Sequence, residues 1–341
     1  MRILPYCLPV LLTTLFIGLA YFDLTWIFAI LLFSLAWINT FWGVFSPEEL
    51  NRAYDFFHYS PQMSFYKGVN GSVFVLFNVW AAFFCTYHTF DVISFIVFTY
   101  GIIVVNSSFG LSLAHELIHE KRGFHRRLGD ILMLQNGFFY LSYDHIFIHH
   151  THVGTQDDPA SANLDENVYG YLRRSLGGRL YMIFNRSNST ETAGQSRLRK
   201  AVRWKLAVCT GWLIGAFFIS KLLFLMVAAQ YIFVILVYET TTYIQHYGLC
   251  RQHREKVRLD HSWNSYDRLY NYLYFFMPVH SLHHANVKPA ATDLYAGPAM
   301  PLSFPRMLFL AFRPKQWFKT MNPLVRLMQE RQRLQREKVY E

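Results

Sequence analysis

Residues 92–120 read VISFIVFTYGIIVVNSSFGLSLAHELIHE, an apolar run that passes without a break into a histidine-bearing segment. A membrane-spanning helix needs about 20 mostly apolar residues, and 92–114 supplies them. His115 and His119 follow four residues apart, so a helix that simply continues carries both imidazoles on one side. The stretch therefore predicts a histidine pair held at a membrane surface by the span above it.

Working outward, six stretches meet the length of a span: 3–22, 25–45, 70–89, 92–114, 204–220 and 222–245. They form three hairpins whose tight turns carry Asp23, Asp91 and Lys221. Placing these turns outside leaves every Lys and Arg except Lys221 on the opposite side, so the positive-inside rule puts both termini in the cytoplasm. The first run follows only Arg2, lacks a small-residue cleavage site and leads directly into the second, and it reads as a retained anchor. The expected fold is all-α: an integral, multi-pass bundle of six transmembrane helices with a cytoplasmic histidine-rich di-metal cap. The chain 1–341 reads as a single membrane-embedded catalytic domain, its cytoplasmic segments being 115–203 and 246–341. Within them, 185–200 is polar enough for a mobile loop, and 326–341, rich in Arg, Lys, Glu and Gln, reads as a solvated terminal helix.

Composition agrees. Of 341 residues, 53% are hydrophobic and 18% aromatic, more than in an ordinary soluble protein. The net charge of +10 would suit nucleic acid as well as anionic lipid, but positive-inside topology already accounts for Lys121, Arg122, Arg126, Arg127, Arg173 and Arg174, and no nucleic-acid partner is expected. The four cysteines, Cys7, Cys85, Cys209 and Cys250, are far apart and form no C-x-x-C pair. Neither a disulfide framework nor a fused redox domain is expected.

Nine of the 15 histidines fall into four groups that this topology brings to one surface. His115 and His119 lie in HELIHE. His145, His149 and His150 lie in DHIFIHH, and His280, His283 and His284 in HSLHH. His246, in YIQHYG, ends the sixth span. One metal takes four to six donors, so nine imidazoles imply two metals. Zinc is satisfied by four ligands in a structural site and by three plus water in a catalytic one; two adjacent irons use the larger set and can share the electrons that O–O cleavage requires. His58, His88, His125, His253 and His261 show no grouping and read as ordinary, and His152 stands beside a cluster without a clear role. A membrane zinc protease, with Glu116 of HExxH as general base, leaves seven histidines unexplained. A metal carrier would place its ligands along a path within the spans. A non-catalytic metal-binding protein is a further alternative.

With these motifs in view, the chain resembles the membrane alkane 1-monooxygenases and their xylene-monooxygenase relatives, within the wider membrane fatty acid desaturase and hydroxylase group. HELIHE, DHIFIHH, YIQHYGL and HSLHH with Ala285 and Asn286 look like the family's histidine boxes and HYG motif. DDPASA at 157–162, HSWNS at 261–265 and MNP at 321–323 look like further family segments. The resemblance implies two non-haem iron ions held by His115, His119, His145, His149, His150, His246, His280, His283 and His284. It implies terminal C–H hydroxylation of an alkane or other hydrophobic alkyl chain from the bilayer, with O2 and with electrons from a separate rubredoxin or ferredoxin and its reductase. A bacterial inner membrane is the expected host. Fatty acyl desaturation at the same site is the alternative reaction.

Two positions depart from the family pattern: Gln245 stands where the HYG motif commonly has Glu, and Leu282 where the third box commonly has Asp. Carboxylates behind ligating imidazoles orient them and raise their basicity. Asp144 and Glu116 persist beside ligands, and Glu239, seven residues before His246, is a candidate replacement. Asn106, Ser108 and Ser112 precede His115 within the fourth span, either packing helices together or lining a substrate channel.

Overall fold

The computed structural model describes residues 3–38, 42–120, 123–185, 193–253, 255–285 and 297–337, and these are helical apart from turns, loops and two isolated bridges. The helices in chain order are α1 Leu8–Tyr21, α2 Thr25–Ile38, α3 Pro47–Tyr59, α4 Pro61–Tyr87, α5 Val92–Val104, α6 Leu111–His119, α7 Gly123–Gln135, α8 Leu141–Asp144, α9 His150–His152, α10 Val168–Asn185, α11 Ala193–Ile219, α12 Lys221–His246, α13 Arg268–Leu273, α14 His280–Ala285, α15 Phe304–Ala311 and α16 Pro314–Glu337.

Among the described residues, five helical stretches are long and apolar enough to cross a membrane: Leu4–Tyr21, Pro61–Tyr87, Val92–His119, Arg199–Ile219 and Lys221–His246. Their outward faces carry large apolar side chains such as Leu76, Phe83, Ile96, Phe218 and Ile232, as an integral membrane protein requires. The second expected span differs. α2 has 14 residues, about 21 Å of helix against a hydrocarbon core of about 30 Å. The end of the apolar run 25–45 leaves the helix: Gly43 takes φ +65°, and the Phe45 N–H donates to the Tyr266 carbonyl at 3.0 Å. Periodicity could not reveal that these residues meet the chain more than 200 positions later.

The tight turns are built as their residues suggest. Asp91 caps α5, accepting from the N–H groups of Ile93 (2.8 Å) and Ser94 (3.1 Å). Asp23 meets His88 at 2.9 Å, which brings the α1–α2 and α4–α5 turns together at one end of the bundle. Inside the bundle, Asn78, Asn106, Asn136 and Gln230 form a connected amide network. Asn106 Oδ1 accepts from Asn78 (3.0 Å) and Asn136 (3.3 Å), and Gln230 donates to Asn78 (3.1 Å) and Asn136 (3.0 Å). Buried amides in an apolar bundle need partners, and here they join α4, α12 and the segments following α5 and α7.

Of the expected mobile loop 185–200, residues 186–192 lie outside the described residues and 193–200 begin α11. The C-terminal run is helical, but its solvated reading is incomplete. Trp317, Met321, Val325, Met328 and Gln332 form a buried stripe along α16, with the period of one helical face. That stripe supports the turn after α12. Gly248 sits there at φ +69°, its N–H donating to the Ala162 carbonyl at 2.9 Å, and a Cβ built on it would lie 2.6 Å from Val325 Cγ1. Gly248→Ala should therefore cost about 1–3 kcal/mol through strain and overpacking. The readout is the thermal unfolding midpoint in detergent, expected to fall by several degrees; an unchanged midpoint would contradict this packing.

Candidate metal centre

Two departures from α-helical geometry aim the histidines. Val105–Gly110 and His145–His149 are π-helical, with the N–H of Leu111 donating to Asn106 and that of His150 to His145. In an α-helix a residue five positions on is turned by about 140°. A π-turn closes on i→i+5 and returns it nearly above the first. His145, His149 and His150 can therefore all face inward from one short segment.

The result is a cluster at one end of the bundle. Potential ligand atoms of His115, His119, His145 and His283 lie within 4.8 Å of one another, as do those of His149, His246, His280 and His284. Within the first tetrad, Nε2 of His145 is 2.7 Å from that of His115 and 3.0 Å from that of His283. In the second, Nε2 of His280 is 3.1 Å from that of His246 and 2.9 Å from that of His284. His150 stands between the tetrads. Its Nε2 is 3.0 Å from His145 and 2.9 Å from His283, and its ring centroid is 4.5 Å from that of His284. All nine expected histidines come together; His58, His88, His125, His152, His253 and His261 stay outside the two tetrads.

This donor set fits metal. The pKa values of His145, His280, His283 and His284 are held well below the imidazole range by burial and by neighbouring imidazoles, as is that of His150. These rings are therefore neutral, and a neutral imidazole offers a lone pair for coordination. Nine imidazoles directed at two centres present what two cations require.

The carboxylates are not where the sequence suggested. Glu116 faces away from the centre, meeting His58 at 2.9 Å and the buried Lys67 at 3.1 Å, while Glu120 meets Lys67 at 2.7 Å. Asp144 pairs with the buried Arg179. Glu239 receives hydrogen bonds from Ser175 at 2.8 Å and Tyr140 at 3.4 Å and lies 3.5 Å from Arg179; it is not the replacement acid behind an imidazole. That place belongs to Asp158 of DDPASA, whose Oδ2 is 2.8 Å from His149 Nδ1 and also accepts from Ser161 at 2.7 Å. Burial opposes the charge on Asp158, but these two partners outweigh it and hold the carboxyl below its usual range. Behind His246, Nδ1 faces the His261 carbonyl at 3.3 Å. Gln245 donates to the Met277 carbonyl, and Leu282 is buried in the core.

On the apolar side of the cluster, a cavity of about 30 Å³ opens beneath His115, His145, His149 and His280, with Leu111, Val237 and Met277 among its walls. Of the polar residues singled out in the fourth span, Ser112 lines it and Asn106 and Ser108 do not; Ser107 takes the place of Ser108, because the π segment displaces the helical face by one residue.

An outer carboxylate typically changes metal affinity about tenfold to a hundredfold. Asp158→Asn should therefore bind metal more weakly by that factor, measured by chelator competition and elemental analysis. Affinity equal to that of the unaltered protein would remove Asp158 from the site.

Comparison with known proteins follows the same segments. The chain matches the fatty acid desaturase family over residues 91–289. It is 31% identical over 234 residues to an alkane 1-monooxygenase of Pseudomonas putida, covering 63% of this chain and 56% of that one. It is 29% identical over 247 residues to alkane 1-monooxygenase 1 of Alcanivorax borkumensis, covering 67% and 59%. To alkane 1-monooxygenase 1 of Pseudomonas aeruginosa it is 30% identical over 241 residues, covering 65% and 61%. The matched segment thus spans less than two thirds of each of these relatives. The chain belongs to the fatty acid desaturase family, and within it is similar to the alkane 1-monooxygenases.

Proposed function

We propose that this protein is a membrane di-iron monooxygenase that hydroxylates a terminal C–H bond of an alkane or another hydrophobic alkyl chain. The observation that carries the reading is the convergence of nine imidazoles on two adjacent centres at the end of an apolar bundle. His115, His119, His145 and His283 would hold one iron, and His149, His246, His280 and His284 the other, with His150 between them as the ninth ligand. Imidazole suits iron, and the count exceeds what zinc uses. Bound iron supplies the reduction of O2 with two external electrons and the transfer of one oxygen atom to carbon.

The chain's own residues position and exclude. Asp158 fixes the ring of His149, the His261 carbonyl faces that of His246, and buried walls keep bulk water from the cavity side. An alkyl chain partitions into the bilayer and reaches the cavity between α6 and α12. Electrons would come from a separate rubredoxin or ferredoxin with its reductase. Exposed Arg126 and Arg127 on α7 suit an acidic donor. In this reading the whole chain 1–341 is one catalytic domain. α2 joins the five longer helices as a sixth membrane segment, both termini and the histidine cap face the cytoplasm, and the host is a bacterial inner membrane. The similarity to alkane 1-monooxygenases supports hydroxylation. The family match itself favours desaturation as the second reading, and the two are separated by product, an alcohol against a double bond.

The purified protein should contain about two irons per chain and convert an alkane to its terminal alcohol with a reduced iron–sulfur donor. His115→Ala and His284→Ala, one from each tetrad, should each lose metal and lower turnover at least about a hundredfold. Full iron occupancy in either variant would overturn the ligand assignment. A single zinc with peptide cleavage would overturn the reaction class.

A further inference from the structure

Besides the histidines and Tyr238, whose ring packs against the Arg179 guanidinium, five polar side chains line the cavity: Ser107, Ser112, Thr241, Thr242 and Gln245. Two are satisfied within their own helices. The Ser107 hydroxyl donates to the Val104 carbonyl at 3.5 Å and that of Thr242 to the Tyr238 carbonyl at 3.0 Å. The other three are not. Among the described residues, the hydroxyls of Ser112 and Thr241 have no hydrogen-bond partner. The Gln245 amide nitrogen donates to the Met277 carbonyl at 3.2 Å. Since a carbonyl only accepts, this bond fixes the orientation of the amide and leaves Gln245 Oε1 as an unpaired acceptor. These residues are only 3%, 5% and 1% exposed for Ser112, Thr241 and Gln245.

A bare hydrocarbon in this space would leave all three groups buried without partners, at about 1–3 kcal/mol for each. A hydroxyl group would pair with them. Ser112 and Thr241 can donate or accept, but Gln245 Oε1 needs a donor, which an alkane, an alkene or a ketone does not have. The volume points the same way. About 30 Å³ admits about two water-sized groups, the size of a terminal CH2–OH, while Leu111 and Val237 offer apolar contact to the methylenes behind it.

We infer that the cavity selects an alkyl chain bearing a hydroxyl group at its reacting end over the bare hydrocarbon of the same length, with Ser112, Thr241 and Gln245 as the specificity-determining residues. The chemistry of this inference rests on the monooxygenase reading above; the binding preference does not. Oxidation of such a chain consumes one O2, two electrons from the external iron–sulfur donor and two protons. One oxygen atom enters a C–H bond of the carbinol carbon and the other leaves as water, and the geminal diol so formed loses water to give an aldehyde.

The test uses the full chain in lipid nanodiscs with 1-octanol and n-octane as probes. Two measurements are made: the shift in thermal midpoint at matched membrane concentrations, and the ratio of kcat/KM when the two compete in one reaction. In the unaltered protein, 1-octanol should raise the midpoint more than octane and be favoured about tenfold or more, the equivalent of one or two net hydrogen bonds. Thr241→Val, isosteric with threonine, and Gln245→Leu should each reduce that preference at least about threefold while retaining the iron content of the parent. Equal shifts and equal kcat/KM for the two probes, or a preference that survives both substitutions, would overturn the inference. Oxidation of neither probe, with the difference in midpoint shift retained, would instead count against the monooxygenase reading and leave the hydroxyl-selective cavity standing.

Discussion

Nine histidine rings drawn from four separated segments converge on two neighbouring centres, with Nε2 atoms 2.7–3.1 Å apart, an arrangement suited to lone pairs that share a cation. Such a cluster does little to fix its own geometry, because an imidazole brings at most two polar nitrogens and those facing the centre meet only other imidazoles. Nδ1 of His145, His280 and His284 is buried without a partner among the described residues. The surrounding protein therefore has to hold the rings in place. Two buried ion clusters do so from opposite sides. Lys67, stacked over Phe57 at 4.7 Å, holds the two carboxylates of HELIHE. Glu116 and Glu120 each follow a histidine by one residue, so gripping them turns His115 and His119 toward the centre. Arg179 does the same for the second box by holding Asp144, the residue before His145. A buried ion pair adds little net stability, but removing one partner costs about 3–5 kcal/mol, which is how such pairs enforce one geometry.

Helical register is the second device. α5 and α6 are one continuous rod interrupted by the π segment Val105–Gly110, whose Asn106 joins the amide network. The network sets the depth and rotation of α4 and α12 relative to that rod, so the ends carrying His115 and His246 arrive at the same level. The C-terminal motifs close the other side. The Tyr247 hydroxyl donates to Asn322 Oδ1 at 2.7 Å, and Asn322 Nδ2 donates to Asp165 at 2.6 Å. Residues 321–323 thus fasten the turn after α12 to the loop that carries Asp158. Segments that look unrelated in the sequence form one support behind His149 and His246.

This division explains what was legible in the sequence. Spacings of three and four residues revealed most of the histidine set, because those side chains are brought together by local helical geometry. Five of the spans were equally plain, and α2 was overread because the residues closing its apolar run pair with 266–268 instead of continuing the helix. His150 was included by its motif although α-periodicity turns it away; only the π-turn makes its position intelligible. Asp158 went unassigned because nothing in DDPASA identifies which imidazole it meets. Lys67 and Arg179 were invisible for the same reason: a buried cation is recognised by partners 35 to 53 residues away in sequence, not by its neighbours. Glu239 shared a helical face with His246, yet Ser175 and Arg179 claim it.

The two tetrads are not equivalent, and the difference gives the centre a direction. His149, His246, His280 and His284 are all buried, with Asp158 and the His261 carbonyl behind two of them. In the other tetrad His119 is exposed and His283 partly so. Water therefore meets the cluster at His119. The cavity lies on the apolar side and touches both tetrads through His115, His145, His149 and His280. Under the proposed reaction, an alkyl chain reaches the centre from the bilayer side and electrons from the aqueous side, without crossing paths. Within the cavity, α12 presents Val237, Thr241 and Gln245 along one stripe that runs from apolar to polar toward the histidines. A chain lying along that stripe would keep its methylenes in the apolar stretch and bring its terminus to the metal end. Under the proposed reaction the same helix would supply a ligand at its tip, His246, and an orientation for the chain on which the metal acts.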